Sequence, residues 1–264
     1  MTRLAIGGPY SGAFGLLAVL TMGCGDVTQP SPEELREPSA VAASFDVALA
    51  FDGVDDYATL GTGRVPAIQR DQSVMLWFEA APGASGASEG RQALFTLRRS
   101  DGSGYALTLD DGVPYAFNVY AQRTLARAAL PITTGIWHHL ALVIDASGGR
   151  LYVDGVEAGA GDRPATKRTP THAFLGSLDG YSSMFHGSID ELRLYDRVVS
   201  VDEVARAAAG DAPDPDVGSL VMYLPFDEAS GARSFDRSGL ANHAALGDGV
   251  PSLMPSRVPS GVPR

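Results

Sequence analysis

Cysteine is almost absent: the 264 residues contain one, Cys24. A single cysteine excludes disulfides within the chain and any zinc site built on several thiolates. Long basic runs are also missing, since no stretch of Lys or Arg exceeds a pair. The formal net charge is -11. An acidic surface without a basic patch repels phosphate backbones and anionic headgroups, so no nucleic-acid partner is expected. Such acidity suits bound Ca²⁺ and equally serves solubility alone. Catalytic signatures are no richer. The chain holds no H-E-x-x-H, no G-x-S-x-G and no loop with the spaced acids of an EF-hand.

What is present begins with an address. Arg3 supplies a thin positive start, and Ala13 to Met22 forms an apolar run too short to anchor in a bilayer. Gly23 and Cys24 end that run. The arrangement resembles the bacterial lipobox, although Thr21 stands where that pattern has Leu. The resemblance implies removal of residues 1–23 as a signal peptide, lipidation of Cys24, and export to the cell envelope with a lipid anchor as the only membrane contact. Plain secretion is the alternative, with Ala40-Val41-Ala42 as a downstream cleavage candidate. Residues 24–43 carry Pro30, Pro32 and Pro38 without apolar periodicity, and read as a flexible tether.

From Ser44 onward short β-type runs alternate with turn signals. Val47–Phe51, Val74–Phe78, Tyr105–Leu109, Tyr115–Val119 and Leu151–Val153 are strand candidates; Asp111-Gly112, Gly148-Gly149 and Asp154-Gly155 are turns. Trp137–Ile144 is apolar on both alternating sets, which predicts a strand covered on both faces. Ser200 and Glu203 form a capping box for one helix; Val201, Val204, Ala205 and Ala208 follow at helical spacing, and Gly210 ends it. Many short strands and a lone helix predict an all-β fold, a two-sheet antiparallel sandwich with one short C-terminal helix.

Three segments carry a family resemblance. Phe51-Asp52-Gly53-Val54-Asp55-Asp56-Tyr57 is similar to the opening turn of laminin G-like domains of the concanavalin A-like superfamily. Trp137-His138-His139-Leu140-Ala141 with Tyr152-Val153-Asp154-Gly155 resembles their W-x-H strand and hairpin. Phe185-His186-Gly187-Ser188-Ile189-Asp190-Glu191-Leu192-Arg193-Leu194-Tyr195 resembles their closing strand. The resemblance covers residues 44–210 and implies a jelly-roll β-sandwich. Residues 211–264 are too few to bury a core of their own, so Leu220–Leu224 and a later strand are expected to add to the same sandwich.

The resemblance also implies binding of an extracellular glycan or protein, with Ca²⁺ near the loops. Asp52, Asp55 and Asp56 place three carboxylates within five positions and are the best local metal candidates; capping of the turn by their side chains is the competing reading. Asp190 and Asp179 are weaker candidates. His138 and His139 point to opposite faces of a strand and cannot share one ion. In the loop Asp179–Phe185, Tyr181 and Phe185 are candidates to stack on a sugar, although Phe185 could instead plug the end of the sandwich. Tyr115 and Tyr120 carry the same ambiguity. A glycoside hydrolase of this fold needs two opposed carboxylates. Ile189-Asp190-Glu191-Leu192-Arg193 has one Glu, and Glu191 with Arg193 reads as a structural pair. The expectation is a binding protein without catalysis; hydrolase and structural envelope protein are the alternatives.

Overall fold

The computed structural model describes residues 46–65, 71–82, 90–162, 169–214 and 218–263. The expected leader, Cys24 and the expected tether lie outside the described residues. The chain runs through β1 (Val47–Asp52), β2 (Ala58–Leu60), β3 (Gln72–Ala80), β4 (Arg91–Arg98) and β5 (Gly104–Asp110). It continues through β6 (Val113–Asn118), β7 (Arg123–Arg127), β8 (Trp137–Asp145), β9 (Gly148–Val153) and β10 (Val156–Gly161). Then come β11 (His172–Leu175), β12 (His186–Tyr195) and the helix α1 (Val201–Ala208). After it follow β13 (Leu220–Leu224), β14 (Arg233–Ser234), β15 (Ala244–Leu246) and β16 (Ser256–Pro259).

These strands pair antiparallel in two sheets. One has the order β10-β9-β8-β3-β12-β1-β16, with β13 also on β12; the other runs β14-β15-β2-β11-β4-β5-β6-β7. The chain is thus an antiparallel two-sheet sandwich with one helix among the described residues. Alternation explains the core between the sheets. Leu140, Leu142 and Ile144 of β8 meet Leu94, Leu97 and Tyr105 from the other sheet in one buried cluster, with Phe78, Phe95 and Phe185.

The second apolar face of β8 is covered too. Ala141 and Val143 pack with Met75, Tyr152 and Tyr195 beneath Val204 and Ala207 of α1. The helix starts as its sequence predicts: the Ser200 side chain accepts from the Glu203 amide and the Glu203 side chain accepts from the Ser200 amide. Gly210, at φ 96°, closes it. Its amide donates to Ala207 and that of Asp211 to Arg206, satisfying the last carbonyls. The buried face differs from the simple spacing. Val204 and Ala207 are buried and Val201 is exposed, because a two-turn helix reaches the sheet through one narrow stripe.

Strand β12 is central and irregular. Its first half pairs β1 and its second half pairs β13, while its pairing to β3 shifts register between Asp190 and Arg193. Glu191 sits at φ 54° in this bulge. There its carboxylate accepts from Arg193 at 2.8 Å and from the Tyr223 hydroxyl at 3.1 Å. Arg193 also donates to the Asp211 carbonyl. The pair is buried, and its charges are satisfied inside the structure.

Candidate functional site

The loop between β11 and β12 is fixed by short polar side chains. Asp179 accepts from the amides of Tyr181 and Ser182 at 3.1 and 3.0 Å, and from the Ser182 hydroxyl at 2.8 Å. Ser177 accepts from the Gly180 amide at 2.8 Å, and its hydroxyl donates to the Ser182 carbonyl at 3.1 Å. Gly180 adopts φ 89°, a conformation L side chains rarely take, which turns the chain sharply. The loop's own backbone is therefore satisfied, and Tyr181 is left 90% exposed at its tip.

Tyr181 overlooks a groove of about 430 Å³ on the outer face of the second sheet. Alternation builds its floor. In β11, Ala173 and Leu175 enter the core while His172 and Phe174 face outward; in β2, Ala58 and Leu60 enter the core and Thr59 faces outward. Antiparallel pairing sets Phe174 opposite Thr59 and His172 opposite Arg98. The His172 and Phe174 rings stack with centroids 6.3 Å apart and planes 6° apart, and Tyr57 leans on Phe174 at 6.4 Å.

The polar groups converge on the same groove. Arg98 lies 3.7 Å from Asp179. Asp248, from the segment after β15, accepts from the Tyr57 hydroxyl at 3.0 Å and from the Thr59 hydroxyl at 2.5 Å. Asp248 holds φ 50°, a left-handed position that Asp tolerates better than most residues. Burial and then the bond to Asp248 raise the Tyr57 pKa above its ordinary value, so Tyr57 keeps its proton as a donor. A pocket with flat rings on one side and a few fixed polar groups on the other suits a small polar ligand with an apolar face.

The residues expected from sequence end up in different places. Tyr181 is in the groove. Phe185 is not: it is fully buried and packs on Phe51 and Phe78 at 6.1 and 6.5 Å. That corrects its assignment as a ligand contact, because the chain turns into β12 there and carries the ring into the core. Asp190 is fully buried in β12, where it accepts from Ser260 at 2.6 Å and from the Glu191 amide at 2.8 Å. It is not part of the acidic turn. Tyr115 is buried against Phe117 beneath Arg91 and Arg127, whereas Tyr120 is exposed.

Asp52, Asp55 and Asp56 do come together, with one carboxylate oxygen of each within 4.8 Å of the others. Oxygens at that spacing can share one Ca²⁺, which binds oxygen at about 2.3–2.6 Å. The same groups cap the turn. Asp52 accepts from the Val54 amide at 2.8 Å, and Asp56 accepts from the Asp52 amide at 3.0 Å. Burial raises the Asp56 pKa against the lowering effect of that amide bond, and the neighbouring Asp52 and Asp55 charges raise it further. A bound cation would relieve this crowding.

His138 and His139 divide as strand geometry requires. His138 bonds Asp154 at 2.8 Å and the Thr133 carbonyl at 3.0 Å. His139 is buried edge-on to Trp77, its ring centroid 5.4 Å away. Sequence reasoning missed Arg98, His172, Phe174 and Asp248. The alternating His172-Ala173-Phe174 was a visible signal for two aromatic rings on one face; nothing local marked Asp248 as a partner of Tyr57.

A two-sheet antiparallel jelly roll with an aromatic groove on one outer face defines the lectin-like sandwich class. The family model of the concanavalin A-like lectin/glucanases superfamily matches residues 52–205, and the chain belongs to this family. No curated protein matches the sequence. Among solved structures, the chain is similar to a candidate carbohydrate-binding protein from Bacteroides ovatus, at 15% identity and a TM-score of 0.62. That likeness covers 83% of this chain and 61% of the other, so the chain spans less than two thirds of that protein's length. Domain 4 of a GH43 extracellular arabinanase from Geobacillus stearothermophilus, solved with arabinotriose, is similar at 24% identity and a TM-score of 0.51, covering 61% of this chain and 76% of that one. A heptameric pentraxin from Limulus polyphemus shares 12% identity with a TM-score of 0.53, over 76% and 94% of the two chains. At these identities the likeness establishes the fold.

Proposed function

We propose that this protein binds an extracellular glycan in the groove beside Tyr181 and does not cleave it. The observation that carries this reading is an almost fully exposed tyrosine on a hydrogen-bonded loop, lining with the stacked His172 and Phe174 one groove of about 430 Å³. Sugar rings present C–H faces to such aromatic surfaces and hydroxyls to the polar groups around them. The similar arabinanase domain solved with arabinotriose and the similar candidate carbohydrate-binding protein from Bacteroides ovatus lend support. Catalysis has no part in the reading. Asp179 is engaged by Arg98 and Asp248 by two hydroxyls, so neither is posed as a free acid or base on a scissile bond.

The same proposal gives Ca²⁺ a supporting role. Bound by Asp52, Asp55 and Asp56, it would neutralise their mutual repulsion and stiffen the turn that leads into Tyr57, one wall of the groove. The protein would act at the cell envelope, held through lipidated Cys24, and mass spectrometry of membrane-extracted protein should find an acylated chain beginning at that residue. A mature chain starting near residue 43 would instead indicate secretion.

A glycan array read with and without chelator tests the binding claim. Tyr181→Ala should weaken retention about tenfold, the loss of one stacking contact. Its melting temperature should stay unchanged, because the side chain touches little else. Chelator should weaken retention by the wild type. Retention indifferent to Tyr181→Ala would overturn the groove as the binding site.

A further inference from the structure

The charge and hydrogen-bond pattern of the groove narrows the ligand, and this step rests on the glycan reading above. We infer that the groove selects an uncharged, hydroxyl-rich glycan over carboxylated or sulfated ones, and that Asp248 sets this preference.

Among the described residues two arginines line the groove, and each already faces a carboxylate. Arg98 lies 3.7 Å from Asp179, and Arg99 lies 3.6 Å from Asp101 while also donating to the Thr169 carbonyl at 2.8 Å. Asp248 has no such counterpart: among the described residues no cation pairs with it. Among the described residues, the groove and the acids holding its arginines therefore carry an excess of negative charge, on a protein whose net charge is already -11. An anionic sugar would meet that field with no unpaired arginine or lysine to receive it among the described residues that line the groove.

Hydrogen-bond direction adds a second, independent bias. The hydroxyl protons of Tyr57 and Thr59 both point at Asp248. What these three side chains still offer a ligand is lone pairs. A sugar hydroxyl can donate to them. A carboxylate or sulfate group only accepts, so it would set lone pair against lone pair in a partly desolvated site. Asp248 is responsible for both effects: it supplies the unpaired charge and it fixes the direction of the two hydroxyls.

The test is affinity electrophoresis of the full chain at neutral pH. The gels would contain neutral arabinan, xylan, galactan and β-glucan, and alongside them polygalacturonate, a sialylated glycoprotein and a sulfated galactan. The wild type should be retarded by at least one neutral polysaccharide, with apparent affinity for every anionic one about tenfold lower or less. Asp248→Asn keeps the shape, removes the charge and releases one of the two hydroxyls as a donor, and should raise retention by the anionic set. Asp179→Asn, which releases Arg98, should shift the preference the same way and serves if the first variant melts early.

Tyr181-dependent retention by an anionic glycan as strong as by any neutral one would sink the selectivity while leaving the groove intact. A neutral preference unchanged in both Asn variants would remove the role given to Asp248. Retention insensitive to Tyr181→Ala, or absent from every gel, would overturn the glycan reading itself and this inference with it.

Discussion

His138 and His139 are neighbours in the chain with opposite electrostatics. The bond to Asp154 raises the His138 pKa above its ordinary value, against the lowering effect of burial. Burial drives the His139 pKa down to about 3, and the nearby Arg193 charge adds to that. For His138 the raised folded value means its contribution to stability is complete below about pH 6.5 and is lost as pH rises through the folded pKa. For His139 the sign reverses: the contribution is complete above about pH 6.5 and declines as pH falls toward about 3. Urea unfolding against pH should therefore separate them. The difference between wild type and His138→Gln should shrink on the alkaline side, and that between wild type and His139→Leu on the acid side. Parallel curves would mean the two rings titrate alike. At this scale Tyr181 and Phe185 were equally plausible ligand contacts, since a Gly/Ser-rich loop has no periodicity to say which ring turns inward.

Strand and helix identities were largely written locally. The two-faced pattern of Trp137–Ile144 required cover on both sides, and the structure supplies the second sheet on one and α1 on the other. The capping box of α1 was readable residue by residue, because each of its hydrogen bonds spans only three positions. The bulge in β12 was not readable: the left-handed turn at Glu191 falls where that strand passes from β1 to β13 and shifts register against β3, none of which is local. Four strands after the helix join both sheets, β13 and β16 in one and β14 and β15 in the other. Ending the chain at residue 210 would strip β12, β1 and β2 of partners and expose core residues such as Leu192 and Leu194 to water. That truncation should lose cooperative thermal unfolding and aggregate on size-exclusion chromatography; a monomer melting like the full chain would show these strands to be accessory.

Across the whole molecule the groove is a tertiary product. Tyr57 and Asp248 stand 191 positions apart, and the hydroxyl–carboxylate bond between them forms only because β15 pairs with β2. The family match ends at residue 205, so Asp248 comes from outside it. By itself the sequence determined the class of fold: alternating strands, turns at Gly and Asp, one capped helix and no cysteine framework leave two apolar sheets to press together. It also determined that Tyr181 would lie on a surface loop and that Asp52, Asp55 and Asp56 would share a turn, since those contacts are local. Only the tertiary structure decided which rings and acids meet across the outer face of the second sheet. Strand order sets those meetings, and strand order follows from how the whole apolar surface is best buried, which no short stretch of residues encodes.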